Sequence, residues 1–499
     1  MSISAKPNIL LIITDHQAFY GHDRPGQFEY KWPRFEQFAA AGTRFDRAYS
    51  VSPICSPARA SMMTGLYPSK HGMVWNCERM DNGNQSDFKP GQALYSHYLS
   101  KAGYRNGYVG KWHCGHTRLP VDYGIEGWSL TDYGKVYMSD EYRAYAASRG
   151  YGDARARIEH HFTGKWEGTE VVLHHPSPWQ FMNGSGVLQG PPEAHEEQFV
   201  AHQAVEKMRE LAGSGQPWSL VASFWGPHQP YYPSEPYASM IDPQSIPEYP
   251  SFRDDLAGRP LRHFYHRDYH HWDVRRWRGN DTWPLWQELL AKCYGQALQT
   301  DAAVGSVLDS LEQLSIADNT IVMWVADHGD AIASHGAMWD KASTMTEEVM
   351  RVPFAVRWPK GIPCPRRVDN FVTNMDVTAT LLEAAGIPVP AELDSRSVLP
   401  LCRDADPEWP DQLVCEHNGH GEDILQRMIV HGPYKYVAAL YDGDELYDLA
   451  QDPYEMHNLV DSPAHREIKA ELRSRIIAHI RTKKDVRAER LAYSLRLGF

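Results

Sequence analysis

NILLIITDH, residues 8–16, carries five consecutive apolar side chains, Ile9 to Ile13, with no polar residue alternating among them. A strand that is solvated on one side alternates, whereas an unbroken run suits a strand covered on both faces, as in a parallel sheet. The run stops at Asp15 and His16. Three other stretches have the same grammar. NTIVMWVADHGD (319–330) is apolar from Ile321 to Val325 and then gives Asp327, His328 and Asp330. RNGYVGKWHCGH (105–116) ends in Lys111 and His113. PWSLVASFWGPHQPYYP (217–233) runs from Trp218 to Trp225 and then presents His228 between two prolines.

Helical patterns separate these runs, at 93–102, at 195–212 with Phe199, Val205, Met208 and Leu211 on one stripe, and at 291–313. Strands alternating with helices predict an α/β fold with a large, mainly parallel sheet flanked by helices. Ligands bind such sheets beyond the carboxyl ends of the strands, where these four runs place Asp, His and Lys. A helix in VTNMDVTATLLEAAGIPVP (372–390) is stopped by Gly386 and two prolines. Beyond it, RMIVHGPYKYVAALYDGDELYDL (427–449) alternates, with turn signals at Gly432-Pro433 and Asp442-Gly443, and predicts antiparallel strands. Ile468, Leu472, Ile476 and Ile480 predict a closing helix over 464–482. The chain divides on this reading into a catalytic domain, 1–395, and a smaller C-terminal antiparallel-sheet and helix unit, 396–499.

With 499 residues there is length for a large core and two domains. A formal charge of −13 argues against a nucleic-acid partner and against attraction to an anionic membrane. Seven cysteines without a CxxC spacing suggest neither a disulfide framework nor a zinc knuckle. The apolar run in MSISAKPNILLIITD is too short for a signal h-region or a membrane span, so a cytoplasmic protein is expected. Association into a homo-oligomer is left open.

SPICSPARASMMTG (52–65) sets a different problem. Ser56 suits an N-cap and Pro57 the first helical position, which places Cys55 before N–H groups that lack partners. That is a place for an anion, or for a residue that handles one. Arg59, four residues on, shares the face of Cys55. The alternative is a buried cysteine packed as a small hydrophobe.

Taken in order, five blocks resemble the type I, formylglycine-dependent sulfatases of the alkaline-phosphatase superfamily. They are C-x-P-x-R followed by T-G (Cys55, Pro57, Arg59, Thr64, Gly65), GKWH (Gly110 to His113), Asp327-His328-Gly329, Lys341 with EEVMRVPF (347–354), and ELYDLAQDPYEMHNL near the end. The resemblance spans nearly the whole chain. It implies that a maturation enzyme oxidises Cys55 to formylglycine, whose hydrate attacks the sulfur of a sulfate ester and then releases sulfate by re-forming the aldehyde. A serine would remain sulfated.

The same resemblance implies one divalent metal ion, calcium or manganese, held by Asp15, His16, Cys55, Asp327 and His328. It gives Arg59 and Lys111 the charge of the nucleophile, His113 a hydrogen bond to it, and Lys341 and His228 the sulfate and the leaving oxygen, with His228 as proton donor. His16 departs from the family, which usually has a second Asp or a Gln there. Two imidazoles facing the ion move the composition toward manganese, because calcium prefers oxygen ligands.

Trp75, Asn76, His116 and Arg118 are candidate substrate-binding residues, with His22 and Asp23 beside them at the expected mouth; solvated rim or packing residues are the alternative. Cys114 is read as lining or packing, Asp376 as a helix residue under the sheet, and the His- and Arg-rich stretch 262–283 as a solvated insertion or a subunit contact. The substrate expected is a small-molecule sulfate ester, a sulfated monosaccharide or similar small polar alcohol. Phosphonate monoester or phosphodiester hydrolysis and aryl sulfate hydrolysis are the alternatives within the superfamily. An unmodified, catalytically silent binding protein is the alternative outside it.

Overall fold

The unbroken apolar run at the N-terminus forms strand β1 (Asn8–Thr14), and its two faces enter two different cores. Ile9, Leu11 and Ile13 pack with residues of one helical layer, while Leu10 and Ile12 pack with the other. The computed structural model describes residues 6–19, 32–80, 83–174, 183–269, 277, 282–341, 344–362, 364–403, 408–420 and 424–497. The expected mouth residues His22 and Asp23 lie outside them.

Seven further strands join β1: β2 (Thr43–Phe45), β3 (Arg105–Lys111), β4 (Glu126–Leu130), β5 (Trp218–Ser223), β6 (Thr320–Ala326), β7 (Phe354–Arg357) and β8 (Arg366–Val368). The sheet order is β8-β2-β7-β6-β1-β5-β3-β4. Its centre, β6-β1-β5-β3-β4, is parallel, and β7 is antiparallel to both β6 and β2. Register sets the functional edge. Ile13 pairs with Val325 and with Ser223, and Ser223 pairs with Gly110, so Asp15, Asp327 and Lys111 emerge at nearly one level. Gly110 is a glycine for a reason: at φ +102° a Cβ there would sit 1.8 Å from the Ser223 carbonyl oxygen. The run expected to extend to Trp225 leaves the ladder after Ser223.

One face of the sheet carries α1 (Pro33–Ala40), α4 (Glu196–Ala212) and α5 (Trp283–Gln313), and the other carries α2 (Cys55–Thr64), α3 (Tyr95–Lys101) and α6 (Val377–Ala384). The expected stripe on α4 is present, with Phe199, Met208 and Leu211 buried. α5 begins eight residues before the sequence pattern suggested, with Pro284 in its first turn, where a missing N–H is harmless. No side chain caps α1 from its own N-cap, Trp32. Asp301 of α5 does so from across the layer, accepting the N–H of Arg34 at 2.7 Å and of Phe35 at 3.0 Å.

At the start of α2 the expected cap is corrected. The helix begins at Cys55 with Ile54 as N-cap, and Ser56 lies inside the first turn. Its N–H donates to Asn76 Oδ1 at 3.2 Å, and its hydroxyl accepts from the Cys77 N–H at 3.0 Å. A neighbouring segment thus serves the helix end that Ser56 was expected to serve.

Strands β9 (Gln412–His417), β10 (Gln426–His431), β11 (Tyr434–Ala439) and β12 (Glu445–Asp448) form the expected antiparallel sheet in sequential order. Helices α7 (Arg466–Lys483) and α8 (Glu489–Leu497) cover it, with Leu472, Ile476, Ile480, Leu491 and Leu495 against Val414, Ile429 and Tyr436. The expected domain division falls in the segment between α6 and this sheet. Part of the His- and Arg-rich stretch corrects its reading as a solvated insertion. Residues Leu261–Tyr269 are helical, and Arg262 and His263 are buried against Glu445 of β12. The rest of it, apart from Trp277, Thr282 and Trp283, lies outside the described residues. Asp376 is buried where expected, in the turn that leads into α6, accepting the Thr373 and Arg396 N–H groups at 2.8 Å each. Among the described residues no helix is long and apolar enough to cross a membrane.

Candidate active site

The strand ends deliver their side chains to the N-terminus of α2. Asp15 follows β1 and Asp327 follows β6, and the Asp327 N–H donates to the Thr14 carbonyl at 3.1 Å. Between them lies Arg59, one turn into α2 from Cys55. Its Nε donates to Asp327 Oδ2 at 2.7 Å, and its Nη1 to the Lys111 carbonyl at 3.0 Å and to Ser223 Oγ at 2.8 Å. Nη2 stands 3.7 Å from Asp15 Oδ1, and Lys111 Nζ donates to Asp15 Oδ2. All four side chains are fully buried.

Burial works to raise both acids, and the outcome differs between them. Lys111, His228 and Arg59 outweigh burial at Asp15 and hold it well below the usual carboxylate range. At Asp327, burial and the charge of Asp15 prevail over Arg59 and push the carboxyl up. Asp15 Oδ1 and Arg59 Nη2 are buried without a hydrogen-bond partner among the described residues. An additional cation beside Asp15 would satisfy the one and relieve the other acid.

Asp15, His16, Cys55 and His328 provide the donors for such an ion, with one ligand atom from each lying within 4.8 Å of all the others. Cys55 Sγ is 3.0 Å from His328 Nε2, and the Nδ1 of that ring faces the Gly329 carbonyl at 2.8 Å. Asp327 stands just behind this set, turned to Arg59 and to the N–H groups of His328 at 2.8 Å and His16 at 3.3 Å. His16 has a left-handed backbone, φ 59°, and its ring packs 3.8 Å from that of His228 and 4.5 Å from that of His328.

The remaining expected groups surround this centre. Lys341 Nζ reaches His16 Nε2 at 2.7 Å and Asp340 Oδ1 at 3.0 Å. Burial opposes its charge, but Asp340 prevails and keeps the amine protonated. His228 donates from Nδ1 to the Gln229 carbonyl at 2.6 Å, which leaves Nε2 as an acceptor in the neutral ring. Burial and the nearby Lys341 push this imidazole well down. His113 behaves in the opposite way: burial lowers it, and Glu78, 3.0 Å from Nε2, outweighs that and raises it. Its Nδ1 is buried without a close hydrogen-bond partner among the described residues, and Cys55 also contributes to raising the ring. The phenol of Tyr133 lies 3.3 Å from His228 Nδ1, with its ring beneath Lys111 Nζ at 4.1 Å.

The four candidate substrate residues separate into two pairs. Trp75 and Asn76 are buried behind the start of α2. Trp75 Nε1 donates to the Asn418 carbonyl, and Asn76 Nδ2 lies 3.3 Å from His420 Nε2. His116 is held by Asp132 at 2.7 Å, and Arg118 is exposed with its N–H donating to Asp87 at 2.9 Å. Among the described residues no hydrogen bond links that second pair to the Cys55 cluster. Cys114 is fully buried, as expected. Sequence reasoning missed Glu78, Tyr133, Asp340, Asn418 and His420. None of them ends an apolar run or belongs to a repeated spacing.

A family model described as Sulfatase matches residues 7–387. A second, described as N-sulphoglucosamine sulphohydrolase, C-terminal, matches residues 334–482. The uncharacterized sulfatase YidJ of Escherichia coli (strain K12) is 27% identical over 96% of this chain and 88% of its own length. Choline-sulfatase of Rhizobium meliloti (strain 1021) is 27% identical over 92% and 83%. Among solved structures, the phosphonate monoester hydrolase SpPMH from Silicibacter pomeroyi superposes with a TM-score of 0.77 over 97% of both chains at 21% identity, a likeness of fold.

Proposed function

The chain belongs to the sulfatase family and is a sulfatase, and we propose that it hydrolyses sulfate monoesters of small polar alcohols, sulfated monosaccharides foremost, with a formylglycine made from Cys55 as nucleophile. One observation carries this reading. Three buried cations, Arg59, Lys111 and Lys341, converge on Cys55 together with the candidate metal set Asp15, His16, Cys55 and His328. Two further donor groups border it: His16 with Asp330 and Asp340, which shares His16 and has Asp340 already paired with Lys341, and Cys77 with Glu78 and His113, in which Glu78 is already paired with His113. The site therefore supports one ion and a singly charged ester better than the two metals a dianionic phosphate monoester calls for.

The donors Asp15, His16, Cys55 and His328 fit a divalent cation, manganese in preference to calcium, because two of them are imidazoles. When bound, such an ion supplies polarisation of the nucleophile and neutralises ester oxygens. The chain's own groups do the rest. Arg59 and Lys111 hold negative charge at the nucleophile without reorganising, since both are buried and already fixed by their partners Asp327, Ser223 and Asp15. Lys341 meets the anionic ester. His228 gives a proton to the leaving oxygen once the charge of the ester offsets burial and Lys341, which together keep the free imidazole neutral. His113, held by Glu78, accepts a proton at the nucleophile.

The C-terminal unit, 396–499, supplies Asn418 and His420 behind Trp75 and Asn76, and these polar groups suit sugar hydroxyls. The second matching family's description names an N-sulphoglucosamine sulphohydrolase, which supports a sulfated sugar as substrate class, there with the sulfate on nitrogen instead of on a hydroxyl. A maturation enzyme belongs to this reading as partner. The test compares kcat/KM for a panel of sulfated monosaccharides, choline sulfate, an aryl sulfate and a phenyl phosphonate ester. A sugar sulfate is expected to lead. A phosphonate ahead of every sulfate would overturn the reading, and an aryl sulfate ahead of the sugars would remove its carbohydrate part.

A further inference from the structure

We propose that Asp330 is a positioning residue for the metal site: it fixes His16 in the Nδ1–H tautomer, so that the Nε2 lone pair is offered to the ion, and thereby selects manganese over calcium. This rests on reading Asp15, His16, Cys55 and His328 as ligands.

Every degree of freedom of His16 is held. The left-handed backbone costs a non-glycine residue energy and persists only where the surroundings impose it. Here the N–H is held by Asp327 Oδ1 at 3.3 Å, and the ring lies against those of His228 and His328, 1% exposed. Nδ1 meets Asp330 Oδ2 at 2.8 Å. The carboxylate is itself locked, because Oδ1 accepts the Ile332 N–H at 3.1 Å, while the Asp330 N–H donates to the Glu348 carbonyl at 3.1 Å. Burial and Asp340 push the Asp330 carboxyl up to about 7. In its ionised form it accepts only, and Nε2 faces the Lys341 ammonium, a pure donor, at 2.7 Å, so Nδ1 carries the proton and Nε2 the lone pair. Lys341 also holds Asp340, so it has a partner to keep when an ion takes the lone pair. A carboxylate that fixes the tautomer of a ligating imidazole also makes it a better donor. Calcium gains little from this, since it takes oxygen ligands.

The substitution Asp330→Asn inverts the arrangement without changing its shape. The Ile332 N–H requires the amide oxygen, so the NH2 group must face His16 Nδ1 and the proton must move to Nε2. Metal-depleted full-length protein is titrated with Mn²⁺ and with Ca²⁺ by calorimetry. D330N is expected to weaken Mn²⁺ binding roughly ten- to a hundredfold, with Ca²⁺ changed far less. Pulsed EPR of the Mn²⁺ form with ¹⁵N-histidine is expected to show two coupled imidazole nitrogens in wild type and one in D330N. One imidazole in wild type, or Mn²⁺ affinity unchanged by D330N, overturns the proposal. Absence of Mn²⁺ binding in wild type instead removes the ligand reading beneath it. If D330N does not fold, ¹⁵N shifts of metal-free wild type decide: a protonated Nδ1 at His16 supports the proposal, and a protonated Nε2 ends it.

Discussion

Arg59 donates from Nε to Asp327 across 2.7 Å, and with this bond the N-terminal turns of α2 are tied to the end of β6. The same guanidinium binds the Lys111 carbonyl and Ser223, so one side chain joins the helix to three strand ends. Lysine cannot reproduce that fork. Arg59→Lys is expected to keep the fold and lose most activity, because a point charge cannot serve Asp327, Ser223 and the Lys111 carbonyl together. Arg59→Ala leaves two buried acids facing each other, and breaking a buried pair in this way costs roughly 3–5 kcal/mol. Urea denaturation of both variants beside wild type checks the order; equal stability of R59A and wild type would contradict it.

Cys55 should be modified in active enzyme. Conversion to formylglycine removes H2S and adds one oxygen, so the tryptic peptide carrying residue 55 becomes lighter, and its hydrate adds one water. Peptide mass spectrometry of preparations made with and without a maturation enzyme should show activity rising in proportion to the converted fraction. Full activity with an intact thiol at residue 55 would end the formylglycine mechanism.

The central sheet was legible because burial on both faces leaves an unmistakable run, and because the polar residues that end such runs mark the functional edge. Asp15, Lys111, His228 and Asp327 were found in that way. Partners that reach the site from loops leave no such trace: Glu78 meets His113 from 35 positions away, and Asp340 holds Lys341 from the adjacent position with no periodicity to mark it. Tertiary capping is equally silent. Ser56 had the right chemistry for a cap but sits two residues past the N-cap, Ile54, and Asn76 serves the helix end instead. The basic stretch after Pro260 misled for a related reason. Arg262 and His263 are charged or polar yet buried, because Glu445 on a strand nearly two hundred residues away neutralises them.

Stability should depend on pH through Asp301, the tertiary cap of α1. Burial pushes its carboxyl up to about 7, although the N–H groups of Arg34 and Phe35 pull the other way. The fold thus binds this proton more tightly than the unfolded chain does. Its contribution is fully present below the unfolded carboxylate value, about 3.9, and is lost as pH rises through 7. Asp301→Asn cannot ionise and misplaces one acceptor, a pH-independent cost of about 1–3 kcal/mol. The variant should therefore be less stable than wild type at pH 5 and should close the gap by pH 8. Thermal unfolding at several pH values measures it, and a gap that widens with pH would refute the assignment.

Glu78 should govern the ionisation of His113 without touching the reacting atoms. Burial lowers the imidazole, and the carboxylate 3.0 Å from Nε2 more than offsets this, so the ring sits above its ordinary value. As the proposed base, His113 works unprotonated, and its titration sets the acid limb of the pH profile. Glu78→Gln keeps a hydrogen-bond acceptor and removes the charge, so the ring should lose its proton more readily. The acid limb of kcat/KM should move to lower pH. At the optimum, kcat should fall by less than the roughly hundredfold that loss of a general base costs, because the base itself remains. KM for the ester should change little, since no anion-binding cation has been removed. An acid limb that stays in place in E78Q, measured on the same sulfate ester, would show that a group other than His113 sets it.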